Sequence, residues 1–247
     1  MGKIEVIAEI GICHNGDMHL ARLLIRKAKE CGCGTVKFQV YSVDSLFPDK
    51  EIIAQGKNWY EEVKKTELTK SQVIDLADYC AKMQIEFFAS AFDTERLGWL
   101  EEIGVVRHKV ATKLNKDKIY INAVLATGKE VLISTDGGPR YHPQSTDSPY
   151  YTSCNNRIRW LYCIPKYPTP LEKLHLQAVP FNYYSGFSDH TQGIEAAMVA
   201  ISRGAKIIER HFTLNKRSLE GPDHICSSEP KEMKKLVEFA RKVERIL

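Results

Sequence analysis

Residues 187–213 read FSDHTQGIEAAMVAISRGAKIIERHFT, and this stretch decides the predicted fold. One strand-like segment ends in Ser188-Asp189-His190, a helical segment follows, and a second strand-like segment ends in Glu209-Arg210-His211. A strand, a helix and a strand in this order predict a βαβ unit with parallel strands. Neighbouring parallel strands end at the same edge of a sheet, about 5 Å apart, so the two imidazoles are expected to lie close together.

The same alternation extends over the whole chain. Strands are predicted at 4–11, 35–41, 86–90, 105–110, 130–135, 157–164, 183–190 and 205–212. Helices are predicted at 17–31, 69–83, 93–103 and 115–127, after Pro170, within the opening stretch and near 230–246. Eight strand-helix repeats in 247 residues predict the α/β class and a (β/α)8 TIM barrel, as one domain over residues 1–247. A doubly wound open sheet is the alternative, but no GxGxxG follows the first strand.

Two segments interrupt the alternation. Residues 42–68 are rich in polar and aromatic side chains and are predicted to form a loop. Residues 137–156 read GGPRYHPQSTDSPYYTSCNN, with three prolines, paired glycines and no helical periodicity. The second segment therefore predicts an irregular loop in place of the fifth helix.

Composition excludes several classes of protein. No apolar run approaches the length that crosses a bilayer and no basic-then-apolar leader follows Met1, so we expect a cytoplasmic protein without membrane contact. The seven cysteines contain no CxxC pair, which argues against a disulfide framework and a thiolate zinc site. The net charge of +4 is scattered among acids, so nucleic acid is not an expected partner. Anionic small molecules remain open as substrates.

Polar side chains recur at the C-terminal ends of the predicted strands, where a TIM barrel keeps its active site. They are Glu9, Lys37, Gln39, Ser90, Asp93, Lys109, Thr112, Ser134, Thr135, Tyr167, Ser188, Asp189, His190, Glu209 and His211. Burying such groups costs several kcal/mol each unless they are paired or face a ligand. One or two could be structural, but a whole ring predicts a binding site.

Two lysines in this ring predict an anion. Lys37 and Lys109 each interrupt an apolar strand, in TVKFQ and RHKVA. They could serve only to neutralise Glu9, which stands inside the first strand. However, two buried lysines for one glutamate leave a surplus positive charge, which a bound anion would balance.

The two histidines of the opening stretch predict a metal site, although two unrelated surface histidines are the simpler alternative. Two neutral imidazoles at one rim can hold a divalent cation, with water and substrate in the open positions. Asp189, Glu209 or Glu9 could add a ligand or orient a ring N–H.

Several motifs together resemble the sialic acid synthase family, the N-acetylneuraminate and related nonulosonate synthases. The matching pieces, in order, are IAEIGICHNGD, AxxCGCGTVKFQVY, FFASAFD, HKVATKL, ISTDGG, YPTP, FSDHTQGIEAA, GAKIIERHFTL and GPDHICSSEPKEMKKLV. The resemblance covers nearly the whole chain, and SDHT, ERHFT and GPDH are its most specific pieces.

The resemblance implies a TIM-barrel transferase that joins phosphoenolpyruvate (PEP) to an aldose such as N-acetylmannosamine, giving a nonulosonic acid and phosphate. It also implies a divalent metal, typically manganese, with magnesium or cobalt as alternatives. The family positions that bind PEP match Lys37, Lys109, Thr112, Ser134 and Ser188, with threonine at 112 where serine is usual. The sugar positions match Gln39, Tyr167 and Asp223. The catalytic set is Glu9 as the acid/base carboxylate, His190 and His211 as metal ligands, and Asp223.

Three departures from the family pattern qualify this reading. Pro165 stands where an asparagine or serine usually contacts PEP, and Asp136 stands where a glycine is usual. The sequence stops at Leu247 without an antifreeze-like C-terminal domain. In full-length relatives that domain covers the active site of the partner subunit and contributes an arginine to it. A separate lid protein and a homodimer are therefore left open. The alternatives are a metal-dependent aldolase or isomerase acting on another anion, or a non-catalytic barrel subunit.

Overall fold

In a computed structural model, eight parallel strands close into a barrel with helices around it. The structure describes residues 3–51, 53–54, 57–136, 155–218 and 221–246. The closed barrel confirms the predicted α/β class and TIM-barrel fold and excludes the open sheet. No helix within these ranges is long and apolar enough to cross a membrane.

The strands follow the predicted order. They are β1 (Glu5–Gly11), β2 (Thr35–Val40), β3 (Ile53–Ala54), β4 (Lys57–Asn58), β5 (Glu86–Ala91), β6 (Arg107–Val110), β7 (Glu130–Thr135), β8 (Ile158–Cys163), β9 (Gly186–Asp189) and β10 (Ile207–His211). Strands β3 and β4 form a small antiparallel hairpin, and the other eight close the barrel in the order β1-β10-β9-β8-β7-β6-β5-β2.

The helices are α1 (Met18–Glu30), α2 (Val43–Leu46), α3 (Trp59–Lys64), α4 (Lys70–Lys82), α5 (Thr94–Ile103), α6 (Lys118–Ala126), α7 (Glu195–Ser202) and α8 (Pro230–Ile246). Two of them begin at a side chain that caps the first turn. Thr69 forms a capping box with Gln72 at the start of α4, and Asp93 accepts a hydrogen bond from the backbone N–H of Arg96 at the start of α5.

The structure corrects the prediction of a helix after Pro170. Two 3₁₀ turns, Leu171–Lys173 and Leu176–Ala178, occupy that place. Between them His175 has a φ of +43°, a left-handed conformation that a right-handed helix does not contain. The crossover between β8 and β9 is therefore made without a regular helix.

The two predicted loops have different outcomes. Residues 42–68 are not simply a loop, because they contain α2, α3 and the β3–β4 hairpin. Side chains of Ser42 and Asn58 cap these two short helices, a local signal that composition alone does not reveal. The predicted loop at 137–156 lies outside the described residues, apart from the start of a 3₁₀ turn at Asn155–Arg157.

Side chains that point into the barrel form layers. The middle layer is apolar and consists of Ile7, Phe88, Leu132, Leu161 and Ile207. Because side chains on a strand alternate between its two faces, the residue two positions later also points inward, one layer closer to the C-terminal end. A larger apolar cluster fills the space between the strands and the helices. Apolar side chains therefore fill the barrel interior directly below the polar layer described next.

Candidate active site

The layer above the apolar one is almost entirely polar. Two positions after the five apolar residues stand Glu9, Ser90, Ser134, Cys163 and Glu209, all buried. Lys37, Lys109, Ser188 and His211 join them from β2, β6, β9 and β10. The layer lies at the C-terminal ends of the strands, as predicted for a TIM-barrel active site.

Glu9 and Lys37 are register partners on the neighbouring strands β1 and β2. The Glu9 Oε2 atom lies 2.8 Å from Lys37 Nζ, and the Gln39 side-chain amide donates to Glu9 Oε1 at 3.1 Å. Burial raises the pKa of Glu9 more than the Lys37 ammonium lowers it, so this pKa lies above its ordinary value. A carboxyl group with a raised pKa is suited to general acid and base catalysis.

The predicted surplus of positive charge is wrong, because Glu209 supplies a second carboxylate to the two lysines. Its two carboxylate oxygens lie 3.7 Å from the Lys37 and Lys109 ammonium nitrogens, and Ser188 donates to Glu209 at 2.8 Å. Burial raises the pKa of Glu209, but the two lysines lower it further, so the carboxylate is held ionised. Two lysines therefore face two glutamates in the described site, and an incoming anion meets Glu209 as well as the ammonium groups.

The five side chains predicted to bind PEP line one cavity of about 40 Å³. Lys109 Nζ donates to Ser134 Oγ at 2.7 Å, Lys37 Nζ donates to Ser90 Oγ at 3.1 Å, and Thr112 donates to the Cys163 thiol at 3.5 Å. The cavity also includes Glu9, Gln39, Tyr167, His190 and His211. Ammonium and hydroxyl donors converging on one small space form an arrangement suited to a phosphate or carboxylate.

The two predicted metal ligands meet as expected. The ring centroids of His190 and His211 lie 5.4 Å apart, and the Tyr167 ring lies 4.1 Å from that of His190 and 5.7 Å from that of His211. The Ile164 carbonyl lies 3.0 Å from His190 Nδ1. Since a carbonyl only accepts, His190 Nδ1 carries the proton and Nε2 keeps a lone pair in the neutral ring.

The pKa values of the two imidazoles are shifted in opposite directions. Burial keeps the pKa of His211 well below its ordinary value, which holds this ring neutral. Burial also lowers the pKa of His190, but the neighbouring Cys163 thiol and the Ile164 carbonyl raise it further, so a cation must compete with a proton there. Neutral nitrogen is the form that binds a metal, and His211 Nδ1 is a buried atom that has no hydrogen-bond partner among the described residues.

The carboxylates considered as a further metal ligand are held elsewhere. Asp189 pairs with Arg210, Glu209 contacts the two lysines, and Glu9 bonds to Lys37 and Gln39. Within the described ranges no three His, Cys, Asp or Glu side chains form a metal-binding group. The His190–His211 pair thus fits a cation that takes two ligands from these side chains and fills its other positions with water or substrate.

Asp223 approaches the site from the loop that precedes α8. Its Oδ2 atom lies 3.5 Å from His211 Nδ1, and Ser227 donates to its backbone carbonyl at 2.7 Å. Burial, reinforced by the nearby Glu9, raises the pKa of Asp223 to about 7. At neutral pH this carboxyl group can therefore either donate or accept a proton.

Gly11 makes room for these carboxylates. It has a φ of +53° at an irregularity in the β1–β2 pairing. A Cβ atom at this position would lie 3.1 Å from Glu9 Oε1 and 3.4 Å from both Asp223 Oδ2 and Gln39 Nε2. The sequence analysis missed Gly11, Cys163 and the role of Glu209. Cys163 and Glu209 could have been found, because each stands two positions after an apolar residue that points into the barrel.

The two residues that differ from the family pattern at the predicted PEP site do not line the cavity. Pro165 and Asp136 are both exposed, and neither is among the cavity residues. The predicted sugar contacts Gln39 and Tyr167 do line it, and Asp223 lies beside His211.

Comparison with known proteins gives one consistent family. The sequence pattern described as the NeuB family matches residues 24–247. N,N'-diacetyllegionaminic acid synthase of Legionella pneumophila is 33% identical, over 98% of this chain and 72% of that protein. N-acetylneuraminate-9-phosphate synthase of Homo sapiens is 31% identical, over 98% of this chain and 70% of that protein. The crystal structure of N-acetylneuraminic acid synthetase from Leptospira borgpetersenii superposes with a TM-score of 0.87 at 30% identity, over 99% and 85% of the two chains.

Proposed function

This chain is a member of the NeuB family, and from that premise we propose that it condenses PEP with an amino-sugar aldehyde to give a nonulosonic acid and phosphate. The observation that carries the proposal is the meeting of three groups in one cavity: the Lys37 and Lys109 ammonium groups, the His190–His211 pair and the buried Glu9. A PEP-dependent aldol-type condensation needs an anion site, an electrophilic centre and an acid/base group.

The anion site accounts for PEP. Lys37 and Lys109 supply two cations, and the hydroxyl groups of Thr112, Ser134 and Ser188 supply neutral donors around them. PEP carries both a carboxylate and a phosphate, and donors on opposite sides of the cavity can bind the two ends and fix the orientation of the C2–C3 double bond. Some of the attraction is offset by Glu209, so binding depends on the lysines retaining their charge.

The condensation forms a bond between C3 of PEP and the aldehyde carbon of the open-chain sugar. His190 and His211 would hold a divalent cation, manganese in the first instance, which would supply Lewis acidity at the aldehyde oxygen. Water then adds at C2, and the C2–O bond to phosphate breaks, which leaves a keto group at C2. Glu9 and Asp223 have raised pKa values and lie on the β1 side of the cavity, which suits them to moving protons at the attacking water and the aldehyde oxygen.

The similar proteins support this reaction class. The three named above are synthases of legionaminic acid or neuraminic acid derivatives. Both products are nonulosonic acids, so the relatives favour a 2-acetamido sugar as the acceptor. The alternative of an aldolase or isomerase was based on Pro165 and Asp136. Both residues are exposed and neither lines the cavity, so they give no reason to prefer that alternative.

The test is product formation from PEP with a panel of 2-acetamido sugars in the presence of Mn²⁺, Mg²⁺ or Co²⁺. We expect stoichiometric release of phosphate and a new keto acid with at least one sugar, and loss of both when the metal is chelated. Glu9→Gln is expected to lower kcat by about 10²–10⁴ with little change in the KM for PEP, because it removes an acid/base group while preserving shape. Failure of a folded, metal-loaded protein to consume PEP with any sugar would contradict the proposal.

A further inference from the structure

Asp223 lies in a short segment before α8, residues 221–228, which we call the Asp223 turn. Its carboxyl group approaches His211 Nδ1 at 3.5 Å. This distance is longer than that of an ordinary hydrogen bond, so the contact does not by itself fix the carboxyl group. The place of Asp223 beside the reaction cavity is therefore set by the backbone of the turn that carries it.

Backbone hydrogen bonds hold the C-terminal end of the Asp223 turn. The Ser228 N–H donates to the His211 carbonyl at 2.8 Å, and the Thr213 N–H donates to the Ser228 carbonyl at 3.1 Å. Within the turn, the Ser227 hydroxyl donates to the Asp223 carbonyl at 2.7 Å. These bonds fix the shape of the turn and join its end to β10, but they leave its first half to be held by another contact.

His224 supplies that contact. Its Nε2–H donates to Asn15 Oδ1 at 2.9 Å, and the Thr213 hydroxyl donates to its Nδ1 at 2.8 Å. Because an amide oxygen only accepts, the ring proton is on Nε2 and the lone pair of Nδ1 faces Thr213. His224 is 2% exposed, which keeps water away from the ring. We call the three side chains of Asn15, His224 and Thr213 the His224 bridge.

The other end of the bridge is a tight turn after β1. Asn15 has a φ of +54°, a left-handed conformation that asparagine adopts more readily than most residues. Its N–H donates to the Ile12 carbonyl at 3.0 Å, which closes this turn. The turn directly follows the strand that carries Glu9. The His224 bridge therefore ties Asp223 to the same part of the backbone that positions Glu9.

We propose that His224 is a positioning residue, which holds the Asp223 carboxyl group beside His211 through the His224 bridge. His224 is not among the described residues that line the reaction cavity, and both of its ring nitrogens are engaged in the bridge. It therefore acts on the reaction through Asp223, its neighbour in the chain. The inference rests on the proposed function for the proton transfer at Asp223, but the geometry of the bridge does not depend on the substrate.

Asn15→Gly breaks the bridge without changing the imidazole. Glycine adopts the same left-handed φ, so the turn keeps its backbone while the acceptor for His224 Nε2 is removed. We expect kcat to fall by about tenfold with the KM for PEP unchanged, because Asp223 is displaced while the PEP-binding lysines lie on other strands. Asn15→Asp keeps an accepting oxygen at the same φ and is expected to keep kcat. The matched control is Gln84→Gly, at an exposed position with a φ of +52°, which should leave kcat unchanged.

A double-variant cycle tests whether the bridge acts through Asp223. Adding Asn15→Gly to Asp223→Asn is expected to lower kcat by less than about threefold further, since the group that the bridge positions is already lost. A further loss of about tenfold, equal to that of Asn15→Gly in the natural chain, would overturn the inference. A kcat for Asn15→Gly equal to that of Gln84→Gly would overturn it as well.

Crystal structures of Asn15→Gly and Gln84→Gly separate this inference from the proposed function. We expect the distance between Asp223 Oδ2 and His211 Nδ1 to grow by more than about 0.5 Å in Asn15→Gly and to stay unchanged in the control. If that shift occurs but the natural chain consumes no PEP with any sugar, the positioning inference stands and the condensation is wrong. If the natural chain forms product and Asp223 keeps its place in Asn15→Gly, the inference is overturned while the condensation stands.

Discussion

Arg210 and Asp189 form an ion pair in which neither side chain has any solvent exposure. They are register partners on β10 and β9, and Arg210 Nη1 lies 3.3 Å from Asp189 Oδ2. The guanidinium group also donates to the carbonyls of Thr191 and Gly193, at 2.7 and 2.5 Å. The middle residues of the SDH and ERH motifs thus join the two strand ends on the outer face of the barrel, while the histidines after them reach the site.

Replacing Arg210 with methionine is expected to destabilise the fold by about 3–5 kcal/mol, because Asp189 is left buried without its partner. Metal affinity is expected to fall by about 10–100-fold, since the ends of β9 and β10, which position His190 and His211, lose their connection. Urea unfolding measures the first effect and calorimetric titration with Mn²⁺ measures the second. Arg203→Met is the control, because Arg203 is exposed and its guanidinium group donates to the Gln177 carbonyl, with no carboxylate partner among the described residues. A variant as stable as this control would contradict the expectation.

Glu209→Gln is expected to strengthen PEP binding while weakening the fold. The substitution keeps the shape of the side chain but removes the negative charge that an anion meets between Lys37 and Lys109. Removing one repulsive contact of about 1.4 kcal/mol corresponds to about a tenfold lower Kd. The free energy of unfolding is expected to fall, because the buried Lys109 loses its carboxylate partner while Lys37 keeps Glu9. Calorimetry with PEP and urea unfolding measure the two effects. The exposed Glu238→Gln serves as control, and a weaker affinity for PEP in Glu209→Gln would refute this account.

The sequence was sufficient to predict the barrel and the meeting of His190 with His211, because both follow from local rules. A βαβ unit has one favoured hand, and neighbouring parallel strands end together. The inward direction of Glu209 was also available, two residues after the buried Ile207. Its position between two lysines was not, since β10, β2 and β6 are separate in the chain and their relative heights depend on the stagger of the closed barrel.

The helix expected after Pro170 failed for a different reason. The segment LEKLHLQA places Leu171, Leu174 and Ala178 at the helical spacing i, i+3, i+7, but local periodicity does not report the backbone conformation of a single residue. The left-handed His175 divides the segment into two turns whose leucines, Leu174 and Leu176, still become buried. In a helix Leu174 and Leu176 would point in directions about 200° apart, so a helix could not bury both against the barrel, whereas the two turns do.

Acid stability is expected to depend on the charged layer at the opposite end of the barrel. Arg107 donates to Glu86 at 2.6 Å and binds Glu5 through both of that residue's carboxylate oxygens. Burial raises the pKa of Glu5, but Arg107 and Thr35 lower it further, to below its ordinary value of 4.5. The stability that Glu5 contributes is thus complete above pH 4.5 and is lost as the pH falls through the lower pKa of the folded state. Urea unfolding between pH 3 and pH 7 should show a shallower acid loss for Glu5→Gln.

Glu86 provides the opposite control in the same layer. Burial raises its pKa more than Arg107 lowers it, so the folded state holds this proton more tightly than the unfolded state. Its contribution is complete below the ordinary value of 4.5 and is lost as the pH rises through the raised pKa. Glu86→Gln is therefore expected to gain stability relative to the natural chain as the pH rises, whereas Glu5→Gln loses it. If the two variants gave parallel pH profiles, the opposite pKa shifts of Glu5 and Glu86 beside Arg107 would be contradicted.

Gly11→Ala tests whether the shape of β1 positions the catalytic carboxylates. The left-handed φ of +53° costs alanine about 1–2 kcal/mol, and the added Cβ would press against Glu9 Oε1 at 3.1 Å. A displacement of Glu9 by a fraction of an ångström is expected to lower kcat by about 10–100-fold, because catalytic groups tolerate little misplacement. Gly98→Ala is the matched control: its Cβ would meet nothing within 4 Å inside α5, so a gain of about 1 kcal/mol is expected there without loss of activity. Thermal unfolding and kcat, measured for both variants, separate backbone strain from displacement of Glu9, since strain alone would lower stability and leave kcat intact.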